Sequence, residues 1–347
     1  MSIYLNRIGV FMRINVKIII GLFLLSSVLS AQNLTKSGTT SAQFLKIGVG
    51  PRAIGMGGAF VATVNDISAT YWNPAGLTNI TGNEAFFDHT NWIADVNHDF
   101  AAAASYIDGF GTIGVFVSVL SMDEMLVRTI EKPEGTGELF DAGGMAIGLS
   151  YAKSLTDAFS IGFNAKYVRE YIWHESATGF AFDIGTLYKI PILNEFRIGA
   201  SISNFGTKMK LDGRDILRVL QVGAGGANQI STKIELDEFD LPLMFRVGVA
   251  ADLFKQDDMM FTLAIDAVHP NDHSEYLNIG GEFSWNDIVF IRGGYTSLLE
   301  KDTEKGLSLG MGLKYGLLGS IKLKVDYAYQ DYNRLQDVHY LSFGIIF

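Results

Sequence analysis

The sequence predicts an all-β fold, a transmembrane antiparallel β-barrel of about 14 strands with an N-terminal hatch or plug segment, and three observations carry that prediction. In the closing stretch, residues 338–347, every second position is large and apolar (Leu341, Phe343, Ile345, Phe347), while Ser342 and Gly344 fall between them. Side chains alternate across a strand, so one greasy face points outward, as in a barrel-closing strand facing lipid. As an edge of a soluble sheet the same stretch would invite aggregation. Second, beyond the N-terminus no stretch approaches the roughly 18 consecutive apolar residues of a membrane helix, which leaves a barrel as the structure that satisfies every backbone group in lipid. Third, the 347 residues include 38 Gly, 24 Phe and 14 Tyr but no Cys, a composition suited to small inward side chains and aromatic girdles.

Taken in order, Arg7, Arg13 and Lys17 precede the apolar run 18–29 and the small residues Ser30 and Ala31. This is a basic, apolar and small-residue succession, and it predicts a signal peptide over 1–31. Met12 would serve equally as the start, because Arg13 and Lys17 alone supply the positive flank. Export without cysteine fits a protein held by a closed ladder rather than by disulfides, and the expected location after leader cleavage is the outer membrane of a Gram-negative-type bacterium. The net charge is −10. Loss of the basic leader makes it more negative, which excludes nucleic acid as a partner, since phosphate binding needs a basic footprint.

The segment 32–82 is expected to form the hatch. Its clustered glycines (Gly50, Gly55, Gly57, Gly58 among them), with Pro51 and Arg52, suit tight turns and close approach to a wall, and Asn73-Pro74-Ala75 interrupts any helix before the first strand. A solvated linker would have little use for Phe44, Leu45, Ile47, Ile54, Phe60, Tyr71 and Trp72. The cluster is not a nucleotide loop: Gly57-Gly58 is followed by Ala59-Phe60, without the spacing or the Lys-Ser/Thr that phosphate cradles require.

The remainder, 83–347, reads as the barrel, with strands at 84–93, 98–107, 110–120, 140–152, 157–171, 177–190, 195–203, 241–254, 259–268, 275–285, 287–296, 306–315, 319–331 and 336–347. The run 159–167 is the clearest, with Phe159, Ile161, Phe163 and Tyr167 on one face and Ser160, Gly162, Asn164 and Lys166 on the other. Short connections at Asp108-Gly109, Asn286 and 316–318 alternate with long ones at 121–139 and 204–240, matching periplasmic turns and extracellular loops. Both termini then fall on the periplasmic side. Residues 125–130 are expected as a hairpin arm within the first long loop rather than as a fifteenth strand. Lys166, Arg197, Arg246, Arg292, Lys314, Lys322 and Lys324 are expected to face the lumen with Asp183, Asp252, Asp266, Glu282 and Asp326. Such a mixture of signs favours an internal network over a selectivity lining, where one sign would dominate.

The stretch Phe44-Leu45-Lys46-Ile47-Gly48-Val49-Gly50-Pro51-Arg52-Ala53-Ile54-Gly55-Met56-Gly57-Gly58-Ala59-Phe60, leading through Asn65-Asp66 to Tyr71-Trp72-Asn73-Pro74-Ala75-Gly76-Leu77, resembles the PorV/PorQ family, itself similar to FadL-type outer-membrane barrels whose hatch carries an Asn-Pro-Ala turn. Phe347 also resembles the terminal aromatic read by barrel-insertion machinery. The resemblance implies an accessory barrel of type IX protein secretion or surface attachment, with translocon or attachment-complex proteins as partners. Its alternative implication is a FadL-like transporter with a hydrophobic ligand in the lumen. Outer-membrane lipid is the common partner of both readings. The Gly50 to Ala59 pattern looks more PorV/PorQ-like than FadL-like, which favours the first.

Catalytic and metal chemistry finds little support. The six histidines form no ligand motif, although His269 and His273 flank Asn271-Asp272 in an expected outer loop, and no nucleophile elbow Gly-x-Ser-x-Gly accompanies a base. The expectation is a non-enzymatic protein without cofactor or metal. The long loop 204–240, with apolar pairs Ile216-Leu217 and Val219-Leu220 and an acidic end, is the candidate contact for a surface partner.

Overall fold

A computed structural model describes residues 36–190, 196–222, 228–256, 258–300, 303–317 and 319–347. The expected leader, 1–31, lies outside the described residues. Strands form wherever the period-two pattern runs: β1 (Asn83–Trp92), β2 (Val96–Ile107), β3 (Gly111–Met122), β4 (Ala142–Ser154), β5 (Phe159–Ile172), β6 (Glu175–Ile190) and β7 (Phe196–Gly206). After the long loop follow β8 (Met244–Gln256), β9 (Met259–Pro270), β10 (Tyr276–Trp285), β11 (Val289–Leu298), β12 (Leu307–Gly316), β13 (Lys322–Gln330) and β14 (Val338–Ile346). Each strand pairs antiparallel with the next, and β14 pairs with β1 (Phe87 opposite Phe343, Asp88 opposite Ser342), so the sheet closes into a barrel of 14 strands. Closure leaves no strand edge in lipid.

The two faces divide as the alternation predicts. In β5, Ser160, Gly162, Asn164 and Lys166 are buried and Phe163 and Tyr167 are exposed; in β14, Tyr340 and Ser342 are buried while Leu341 and Phe343 stand outward. The outer band (Val115, Leu149, Phe180, Phe182, Ile291 and Met311 among others) is apolar and exposed, which in water would be an aggregation hazard and in a membrane is the solvent-facing surface.

Turns at one end are short, and the other end carries the long connections. The arm within the first long loop is a hairpin, with Met125–Leu126 paired to Leu139–Phe140. The second long loop holds more order than its composition suggests: Leu217–Val222 pairs with Asn228–Lys233, Asp212–Gly213 pairs onto the start of β6, and Met209 bridges to Phe239.

Residues 36–82 occupy the inside of this ring, contributing Val49, Met56, Phe60, Ile67, Trp72 and Leu77 to the buried core. Short helices order the segment: 3-10 turns at Gln43–Lys46 and Pro74–Asn79 and α-turns at Pro51–Gly55 and Ala69–Trp72. Its direction corrects one expectation. Phe347 lies at the short-turn end, where its carbonyl accepts from Asn83 N–H at 2.9 Å, but residues 36–46 lie at the long-loop end: Ala42 N–H donates to Glu170 at 3.0 Å, near the top of β5, and Ser41 N–H to the Asp240 carbonyl at 2.9 Å. The two ends of the described chain are therefore at opposite mouths. Strand parity fixes where β1 begins, but it carries no information about the course of a non-strand segment before it.

Candidate functional site: the inner segment against the barrel wall

The lumen accepts a folded segment because its wall is small-sided at mid-height. Gly162, Gly185, Gly199, Gly248, Gly280 and Gly294, on β5, β6, β7, β8, β10 and β11, all face it at contact distance. A Cβ at Gly280 would lie 2.0 Å from the Met56 carbonyl oxygen, one at Gly199 2.3 Å from that of Val61, and one at Gly162 2.2 Å from the Pro74 carbonyl carbon. Backbone thus meets backbone. On the opposite side, β1 to β3 present Phe86, Phe100 and Phe116, whose rings pack in sequence with centroids 6.3 and 5.7 Å apart. The sequence shows the glycines of the segment as a cluster and puts Gly162 on an inner face, but the wall glycines as a set escape it, because their signal is a single glycine at an inward position in successive strands.

Polar groups of the wall then satisfy the segment's backbone. Asp266 of β9 accepts from Phe60 and Val61 N–H at 2.7 and 2.8 Å, and Asp88 of β1 accepts from Gly50 N–H at 2.9 Å, at the start of the Pro51–Gly55 turn. Thr296 donates to the Gly57 carbonyl at 3.0 Å; Gly57 and Gly58 have φ of 62° and 74°, a left-handed pair that turns the chain along the wall. Asn73 ends one helix in an extended conformation and caps the next, accepting from Ala75 N–H while donating to the Val61 and Thr186 carbonyls at 2.8 and 3.0 Å. The Asn-Pro-Ala turn therefore both breaks a helix and starts a 3-10 helix, with Pro74 at its first position.

Nearer the short-turn end, six side chains close a ring of alternating charge. Arg52 meets Asp66 at 3.0 Å and Glu282 at 2.8 Å; Glu282 and Asp326 each meet Arg292 at 2.6 Å; Lys324 completes the circuit, 3.7 Å from Asp326 and 2.8 Å from Asp66. Two members come from the inner segment, four from β10, β11 and β13. Burial by itself would lower the Arg52 pKa and raise that of Asp66, but the facing opposite charges outweigh it: Glu282 and Asp66 hold the guanidinium firmly charged, and Lys324 and Arg52 hold the Asp66 carboxyl far below the usual carboxylate range. The ring borders a cavity of about 270 Å³ at the short-turn end, also lined by Glu84, Lys314 and Lys322.

Most of the inward charges expected from the sequence sort into pairs. Lys166 bridges to Asp183 at 2.7 Å and Arg197 to Asp252 at 2.6 Å, while Lys314 reaches Asp287 and Lys322 is exposed. Arg246 lies over the faces of Tyr71 and Trp72, 5.7 and 5.4 Å from their centroids. At the long-loop end Asp272, buried, accepts from Thr40 at 2.8 Å, Gln43 at 2.8 Å and Lys46 at 2.8 Å. Burial would raise its pKa, but these three donors lower it below the ordinary value. His269 and His273 pair with Glu275 and Glu300 instead of converging, and no group of three metal-ligating side chains occurs among the described residues.

Solved structures that share this architecture include hydrocarbon channels. The CymD monoaromatic hydrocarbon channel superposes with a TM-score of 0.56 at 14% identity, over 86% of this chain and 96% of that one. The Pseudomonas putida toluene transporter TodX gives 0.56 at 13%, covering 86% and 97%, and the Ralstonia pickettii toluene transporter TbuX 0.55 at 14%, covering 86% and 98%. At such identity the likeness establishes the FadL-like barrel fold. No curated protein matches the sequence significantly. The family described as type IX secretion system protein PorV matches residues 30–246, which takes in the whole described inner segment, β1 to β7 and the long loop, and on that match, over more than half its length, this outer-membrane barrel belongs to the PorV family.

Proposed function

We propose that the protein is a non-enzymatic accessory barrel of type IX protein secretion or surface attachment, working in the outer membrane of a Gram-negative-type bacterium after removal of residues 1–31. In this reading residues 32–82 are a hatch that keeps the lumen filled, and the protein's work is done at its surfaces. The single observation that carries it is the family match, which extends across the inner segment and the long loop together. Support comes from the loop itself: in the paired arms Leu217–Val222 and Asn228–Lys233 every residue but the half-buried Thr232 is exposed, with Leu217, Val219, Leu220, Val222 and Ile230 uncovered. Exposed apolar residues on a loop at the outer mouth suit contact with a translocon or attachment protein. The architecture shared with hydrocarbon channels favours a second reading, transport of a hydrophobic compound past a movable hatch.

Deleting residues 215–234 separates the two. A secretion accessory loses copurification with its apparatus while the barrel still folds; a transporter keeps whatever partners it has and loses uptake of a hydrophobic substrate. Copurification with no partner, together with poor growth of a deletion strain on hydrophobic carbon sources, would replace the first reading with the second.

A further inference from the structure

The course of the inner segment carries an inference about topology. At the short-turn end the segment is tied by its C-terminal part: Thr78 donates to Ser160 at 3.0 Å, Lys189 to Asn79 at 2.6 Å, and Tyr106 N–H to the Gly82 carbonyl at 2.9 Å. At the long-loop end it is tied by its N-terminal part. Thr40 forms a parallel bridge with Asp240, Phe44 packs on Gly144 near the start of β4, and Thr40, Gln43 and Lys46 converge on Asp272 in the connection between β9 and β10. Between those anchorages residues 47–77 run the length of the lumen in contact with both halves of the wall. Residues 36–39 lie above the last anchorage, exposed.

We infer that the chain enters the barrel from its outer mouth, so that residues 36–39 are displayed on the external surface of the cell beside the long loop, while the carboxyl terminus stays at the periplasmic rim. The inference rests on the outer-membrane reading, in which long loops face outward and short turns face the periplasm. It places the amino-terminal end of the described chain on the same face as the hairpin of the long loop, where a secreted or attached protein would meet both.

The chain contains no cysteine, so single cysteines report topology directly. Ser37→Cys and Gln43→Cys would be compared, on intact cells, with Glu134→Cys in the β3–β4 loop and Asp157→Cys in the β4–β5 turn, using a membrane-impermeant maleimide. The expected result is labelling of Ser37→Cys and Gln43→Cys on intact cells to the extent seen for Glu134→Cys, with Asp157→Cys labelled at least tenfold more after permeabilisation. Labelling of Glu134→Cys alone on intact cells, with both N-terminal cysteines reacting only after permeabilisation, overturns the threading. Labelling of Asp157→Cys on intact cells while Glu134→Cys stays silent overturns the orientation on which the inference depends, and with it the outer display.

Discussion

A methyl group on the wall is enough to decide whether the lumen can hold its segment. Gly280→Val would drive a side chain into the Met56 carbonyl, and overpacking of a rigid contact costs about 1–3 kcal/mol or more when backbone must move. The expected outcome is an inserted, folded barrel whose residues 47–77 become cleavable by protease. Arg52→Ala would strand Glu282 and Asp66 with one cation fewer; loss of one partner from a buried pair typically costs about 3–5 kcal/mol, read here as faster cleavage of the segment and higher single-channel conductance. The pH response has a definite sign. Asp66 has a folded pKa below its unfolded value of about 3.9, so its contribution is complete above that pH and is lost only as pH falls through the lower folded value. The part of segment anchoring that comes from the Asp66 ion pairs should therefore be constant from about pH 5 to 8 and be lost in strong acid, and Asp66→Asn should anchor the segment more weakly already at neutral pH and lack that acid limb. Much of this site escaped the sequence. Gly50, Pro51, Arg52, Gly57, Gly58 and Asn73 announced themselves as a cluster, and Gly162 and Asp266 could be assigned to the inner face, but with Gly199, Gly280 and Asp88 each is isolated in its strand, and only closure of the ring brings them together on one segment.

Strands were legible because two solvents act on them. Lipid outside and a packed, polar interior impose opposite demands on successive residues, so β5 and β14 carry their orientation in every position. The long loop was not, because its second arm, Asn228–Lys233, has Ile230 as its one large apolar residue and shows no alternation to detect. At β14, Phe347 follows the last paired residue, exposed, with its backbone bonded to Asn83 in both directions at 2.9 Å. Phe347→Asp leaves those backbone bonds possible and removes the aromatic at the lipid boundary, where stability should change by only about 1 kcal/mol. Assembly should suffer more than stability: outer-membrane levels of the mutant are expected to fall, while the fraction that does insert should migrate and melt like the parent. Wild-type amounts in outer-membrane fractions would show that the terminal aromatic is not read.

At the scale of the whole molecule, the barrel is a closed ladder wrapped on a folded interior, and the two should respond separately to denaturation. An unheated sample is expected to migrate as a compact species on a gel and to shift only on boiling, and in Arg52→Ala that shift should persist while the segment alone is exposed. The segment's path also constrains the order of events during biogenesis. A finished barrel offers no passage through which residues 36–82 could later be fed, since their backbone lies against wall glycines at van der Waals distance and is bonded at mid-height to Asp88 and Asp266. Before β14 joins β1 the sheet is an open sheet, and the segment can be laid onto it from the side. In the native protein the pairing of first and last strands then follows the laying-in of the segment, which makes the segment a filling enclosed as the wall is rolled around it rather than a stopper pushed in afterwards.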